Sequence, residues 1–171
     1  MGDYEERQGA FVHKTANLVG DRIRIGAGSR IDAFVTITGD VTLGRMVHVG
    51  GSACLIGGGG ITIGDYSGVS PGVKIFTTSE SLDGEWMIHP TVPEQYRRPI
   101  VKPVSIGAHC TVGANSVLLP GAIMDDGACL GALSLTKGQL GEWSIWAGVP
   151  ARFIRTRGRR SIELARELEQ Q

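Results

Sequence analysis

The 171-residue chain balances 17 basic against 17 acidic residues, so nothing in its net charge calls for nucleic acid or an anionic membrane as partner. Its length suits one domain with one core, and three cysteines, Cys54, Cys110 and Cys129, are too widely spaced for a disulfide framework or a zinc knuckle. No apolar run is long enough to span a membrane and the polar start MGDYEERQGA has no signal-peptide core, so a soluble protein of the reducing cytoplasm is expected.

Residues 1–18 precede any repeat and read as an N-terminal cap, with His13 in a structural role. From Val19 the chain keeps a six-residue beat: Ile25, Ile31, Ile37, Leu43, Val49 and Leu55, then after a two-residue slip Ile63, Val69 and Ile75, then after an interruption Ile106, Val112, Leu118, Met124, Leu130 and Thr136. Fifteen of these sixteen are aliphatic or Met, types that make up only roughly a quarter of the chain. Two residues before each, the side chain is compact, as at Ser29, Val35, Ala53, Ser67, Cys110 and Ser116, and the residue after it is often Gly or Asp, which accept turn geometry. One bulky inward site, one compact inward site and a corner describe a short strand plus a turn, not a helix of 3.6 period. Three units close a triangular coil, so the sixteen predict an all-β solenoid over 19–157 of about five coils, roughly 25 Å long at the ~4.8 Å spacing of stacked strands. A sandwich would instead alternate with period two and turn irregularly. The GGGG run at 57–60 coincides with the slip and reads as a corner bulge, since it lacks the Lys-Ser/Thr and the helix of a phosphate-binding loop.

The beat stops after Ile75 and resumes at Ile106 with Val104 back in a compact slot, so residues 78–103 leave the coil and return to the same point. A stretch this long without its own period is functional or disordered. Pro90, Pro93, Pro99 and Pro103 stiffen it, and Trp86, Met87, Ile88 and Tyr96 are too apolar for a solvated tether, so it is expected to dock against something. Trp86, Tyr96 and Trp143 offer flat apolar surfaces on which a ring can stack. Asp83, Glu85 and His89 are further binding candidates. His48 precedes the inward Val49 and points outward; His109 stands near a corner, and the two are expected on one face about two coils, ~10 Å, apart. Residues 158–171 form a short amphipathic helix with Ser161 as N-cap, expected as a lid on the last coil. Before it, Arg152, Arg155, Arg157, Arg159 and Arg160 make a local positive patch that suits phosphates, or a solvated tail paired with Glu163, Glu167 and Glu169.

The repeated [Ile/Leu/Val]-Gly-x-x-small-x pattern, with VGANSVLLPGAIM and the tail WSIWAGVPARFIR, resembles the hexapeptide-repeat acyltransferases from about Val19 to Arg157, and most closely their galactoside and other sugar O-acetyltransferase branch. The resemblance implies a left-handed parallel β-helix, a hand that general connection rules do not supply. It implies a homotrimer whose protruding loop walls a cleft between two prisms, acetyl-coenzyme A as co-substrate, no metal, and a hydroxyl or amine of a nucleotide-linked or glycan sugar as acceptor. Such a cleft needs a base for the nucleophile's proton and a backbone N–H for the oxyanion. Many relatives carry a His directly after the strand leading into the loop; here TTSES puts Glu80 at that place, so His48, His109 and Glu80 stand as alternative bases. Ala114 in VGANS and Ala132 in LGALS match turns that hold the pantetheine arm, Lys137 follows where relatives often have Thr-Lys, and Arg152 is a candidate for the coenzyme's phosphates. Two other functions remain open on such a prism: a non-catalytic scaffold, and a carbonic-anhydrase-like metal hydratase, for which three His must converge although only His48 and His109 lie on coils.

Overall fold

Six residues per unit leave room for two to four paired residues before a Gly or Asp corner turns the chain, so the strands are short and stack by coil instead of lying side by side in sequence order. A computed structural model describes residues 4–7 and 9–170, and in it the chain winds as a left-handed parallel β-helix of about seven turns with one C-terminal helix. Face one stacks seven parallel rungs, Ala10–His13, Arg30–Ile31, His48–Val49, Gly68–Val69, Thr111–Val112, Cys129–Leu130 and Ser144–Ala147. Face two carries Leu18, Ile37, Leu55, Ile75, Leu118 and Thr136 in register, and face three Ile25, Leu43, Ile63, Ile106, Met124 and Leu140. These columns meet on the prism axis as one contiguous apolar core.

About five coils were expected and seven are present because both terminal turns break the six-residue beat. Ala10–His13 already forms a rung beneath Arg30–Ile31, inside the segment expected only to cap, and the last turn reaches Leu140 only four residues after Thr136. Val19 is displaced for the same reason: it is 54 % exposed, and Leu18 fills the column opposite Ile37, seven residues before Ile25.

The compact inward slots are buried as expected, and where they hold serine the hydroxyl stitches coil to coil. Ser67 Oγ donates to the Gly107 carbonyl at 2.8 Å and accepts from the Cys110 amide at 3.0 Å; Ser29 and Ser116 repeat the pattern in other coils. Cys110 occupies another such slot, where burial pushes its thiol up to about 11.

Three long strands, Asn17–Ile25, Thr36–Leu43 and Cys54–Ile63, run across the edge joining faces two and three. The four glycines lie at that edge inside the third strand, where Gly39 and Val41 pair with Gly57 and Ile61, so the two extra residues form the expected corner bulge. Their missing side chains seat the root of the loop: a Cβ on Gly59 would lie 2.9 Å from Val101 Cγ1, and Thr77 Oγ1 donates to the Ile56 carbonyl and accepts from the Gly59 amide, both at 2.8 Å. Beyond this seat Thr78–Ser79 pairs antiparallel with Ile100–Val101 as a two-residue stem, and Ser105–Ile106 rejoins the prism beside Thr62–Ile63.

The ends of face one are closed by strands, not by the helix. Tyr4–Arg7 folds back on Ala10–His13, and Arg152–Thr156 on Ser144–Ala147, with Phe153 edge-to-face on Trp146. The helix, Arg160–Glu169, follows Arg159 and not Ser161 as its N-cap residue. It is a strap along the edge between faces three and one: Glu169 accepts from Arg45 Nη2 at 2.8 Å and from the Tyr66 hydroxyl at 2.6 Å, both on earlier coils. A lid would need a buried apolar side, whereas no residue of this helix is buried and Leu164 and Leu168 are exposed. Among the described residues no helix is long and apolar enough to cross a membrane.

Candidate functional site

The loop is built around an ion pair. Glu80 Oε1 lies 2.5 Å from Arg97 Nη2, with the two side chains only 24 % and 14 % exposed, and this joins the outgoing and returning halves above the stem. Glu80 Oε2 and Arg97 Nε are buried without a partner among the described residues, so the pair still has one acceptor and one donor to satisfy. Further out, Asp83 closes the tip by accepting from the Glu85 amide at 2.9 Å and the Ser81 hydroxyl at 2.8 Å, which holds its carboxyl below the usual carboxylate range. The tip encloses a cleft of about 500 Å³ lined by Ser81, Leu82, Trp86, Met87, Ile88 and His89. The Arg98 guanidinium lies 5.7 Å from the Trp86 ring centroid. Leu82, Met87 and Tyr96 are more than half exposed, as the expectation of a docking loop requires of a single chain. Asp83, Glu85, Trp86 and His89 thus gather on the loop, while Glu80 sits at its root.

The two coil histidines do not share a face. His48 stands on face one, and its equivalents in neighbouring coils are Arg30 and Gly68. His109 stands at the edge between faces three and one with φ 56°, where each coil bonds to the last through Tyr66, His109, Gly127 and Trp143. Its ring stacks on Tyr66 at 5.3 Å between centroids and lies tilted against Trp143 at 6.0 Å. Trp143 reaches it because Gly127, in the coil between, has no side chain; an added Cβ would meet the indole ring. Arg157 Nη1 donates to the carbonyls of His109 and Gly127 at 3.0 and 2.9 Å and, with Arg159, lies over Trp143. Two members of the arginine patch are therefore clamps. Glu169 pairs with Arg45 and Tyr66, and Arg159 lies 3.9 Å from Glu142, so the expected tail pairing with Glu163, Glu167 and Glu169 does not form among the described residues.

Ala114 and Ala132 fall on successive coils at the edge between faces one and two, where Leu133 N donates to the Ala114 carbonyl at 2.9 Å. Among the described residues neither alanine amide donates to another group, and the two lie one coil apart, about one strand spacing, ~4.8 Å. Lys137 and Arg152 are exposed. One chain thus leaves Glu80, His48, His109 and the alanine amides on different edges and faces. Among the described residues no three His, Cys, Asp or Glu side chains converge as a zinc hydratase would need.

Two sets of partners were missed in the sequence. Arg30 and Asp32 sit beside His48, and the signal was available: Arg30 and His48 are eighteen residues, one coil, apart. Arg97 lies in a loop without period, where no spacing rule points to Glu80.

No family model matches the sequence. The chain is 34 % identical over 147 residues to the dTDP-4-amino-4,6-dideoxy-D-glucose acyltransferase of Escherichia coli, covering 84 % of this chain and 77 % of that protein. It is 23 % identical over 158 residues to the galactoside O-acetyltransferase of Escherichia coli, covering 91 % and 74 %. Among solved structures it superposes with a TM-score of 0.92 and 30 % identity on a variant of AntD, an N-acyltransferase from Bacillus cereus, in complex with dTDP-4-amino-4,6-dideoxyglucose and coenzyme A, over 95 % of this chain and 88 % of that one. The coil repeat, its hand and the identity carried over nearly the whole prism place this chain in the hexapeptide-repeat family of sugar acyltransferases.

Proposed function

We propose that this protein transfers an acyl group from acyl-coenzyme A to the 4-amino group of a dTDP-linked deoxysugar, in clefts between the prisms of a cytoplasmic homotrimer. The observation that carries the reading is the near-complete match to AntD, whose complex holds both an amino sugar nucleotide and the coenzyme. The coils from 19 to 157 act as scaffold and the excursion over 78–103 as the wall of the site.

The pantetheine arm would lie along the edge that presents the Ala114 and Ala132 amides, with Lys137 and Arg152 toward the phosphates. Trp86 and His89 would face the base or sugar and Asp83 and Glu85 its polar groups. Glu80 is committed to Arg97 and His109 to its stack, which favours roles in positioning for both and leaves His48 as the outward imidazole. A dry cleft aids the chemistry, because a backbone N–H aimed at the developing oxyanion is worth more where water is excluded.

The test is release of free thiol from acetyl-coenzyme A and 3-hydroxybutyryl-coenzyme A, with dTDP-4-amino sugars, their 4-hydroxy counterparts and simple galactosides as acceptors. Stimulation by the amino sugars is expected. Stimulation by galactosides alone would move the acceptor to the O-acetyltransferase branch. Absence of both turnover and coenzyme binding by calorimetry would leave a scaffold.

A further inference from the structure

Beyond its stem the loop is bonded to itself and not to the prism. Among the described residues, every hydrogen bond and ion pair of 81–98 ends on another residue of 80–98: the Met87 amide donates to the Tyr96 carbonyl at 3.0 Å, the Val92 amide to that of His89 at 3.2 Å, and Asp83 closes the tip. This body is carried on the stem of Thr78–Ser79 and Ile100–Val101, and two paired residues on each arm are a weak support by themselves. The angle at which Trp86 and His89 are held therefore depends on what braces the neck. Glu80 and Arg97 stand there, one on each arm, with both side chains largely buried. Glu80 Oε2 and Arg97 Nε are buried without a partner among the described residues, so removing either charge leaves the other uncompensated. Arg97 also forms an isolated bridge with Met87, the neighbour of Trp86, and Arg98 lies over the Trp86 ring. The neck pair is thus continuous with the tip cleft.

Resting on the transferase reading, we infer that Arg97 is a positioning residue for the acceptor: its pair with Glu80 clasps the two arms of the neck and so fixes how the tip cleft faces the site. Glu80 is the other half of the clasp and not the base. The two roles make opposite demands on charge order. A clasp needs one cation and one anion on the two arms in either order, whereas a base needs the carboxylate at position 80 itself. The clasp acts on the acceptor side, because the edge assigned to the coenzyme, with Ala114 and Ala132, lies between faces one and two, away from the edge that releases the loop.

Arg97→Met is expected to lower kcat/KM for the dTDP-4-amino sugar by roughly a hundredfold, mainly through KM for that acceptor, with KM for the coenzyme and the melting temperature unchanged. Amide hydrogen exchange speeds up across 81–98 and stays slow in the coils. Arg97→Lys keeps the charge and recovers part of both. Glu80→Arg alone shows the same loss, and the exchanged pair Glu80→Arg/Arg97→Glu restores slow exchange and a substantial part of the activity that neither single variant has. Wild-type kinetics in Arg97→Met, or unchanged exchange over 81–98, overturns the clasp. An exchanged pair that regains slow exchange but no activity overturns the assignment of Glu80 and returns it to the chemistry. A wild-type protein that releases no thiol with any acceptor overturns the transferase reading instead, and the exchange measurements then still decide whether the pair orders the loop.

Discussion

Ser67 shows how much one small side chain decides. Its hydroxyl satisfies a carbonyl and an amide of the next coil at once, so Ser67→Ala strands two buried backbone groups. A loss of about 1–3 kcal/mol in chemical denaturation is expected. Gly127→Ala acts through shape: φ is +70° there and the Trp143 ring fills the space a Cβ would take, so the stack of Tyr66, His109 and Trp143 must part. It is expected to cost about 1–3 kcal/mol and to reduce tryptophan shielding from quenchers. Gly68→Leu is the contrasting case. A Cβ there has nothing within 4 Å and Gly68 pairs with His48, so the melting point is expected to hold while the added side chain lies beside His48 and raises KM for the acceptor. The inward residues were legible because each repeats a chemical type at a fixed interval. The role of His109 was not, because its ring contacts lie 43 residues back at Tyr66 and 34 ahead at Trp143 and depend on a left-handed corner.

The loop and the helix are separable from the prism to different degrees. Replacing residues 80–99 by a short turn keeps the stem pair and the Gly59 seat, so circular dichroism and the melting transition are expected to persist while turnover is lost. Loss of the fold on trimming would contradict the separation of scaffold from site. The helix is held mainly by charge. The Tyr66 hydroxyl and then Arg45 hold the Glu169 carboxyl below its ordinary value, and the bond to Glu169 pushes the Tyr66 hydroxyl up. A depressed carboxyl contributes above its unfolded pKa and loses that contribution as pH falls through the folded value; a raised tyrosine contributes below its unfolded pKa and loses it as pH rises through the folded one. Docking is therefore expected to be firmest between the carboxylate and tyrosine ranges. Hydrogen exchange over residues 160–169 checks this: protection should drop at both extremes and with added salt. The amphipathic pattern of SIELARELEQQ indicated a helix correctly, but amphipathicity alone does not say which surface receives it.

At the scale of the whole molecule, the charges of each chain cancel and its outward chemistry is divided among three faces. The proposed trimer would bring those parts together, and a sedimentation measurement is then expected to give three times the 18.1 kDa chain mass. Dilution that dissociates the assembly is expected to abolish turnover before it unfolds the chain, because each coil keeps its own core. The sequence alone determined the solenoid, the in-frame return of the loop at Ile106 and the compact inward slots, since stacked coils force the same side-chain type to recur at the same interval. It misjudged the count of turns where that interval fails, at Leu18 and at Leu140. Only the tertiary structure decided that Glu80 is tied to Arg97, that His109 is locked in a stack and that Asp32 supports His48. Those contacts are set by the stacking of coils, the φ of a corner and the closure of an aperiodic loop, so they arise from positions that are neighbours in space and unrelated in the pattern of the chain.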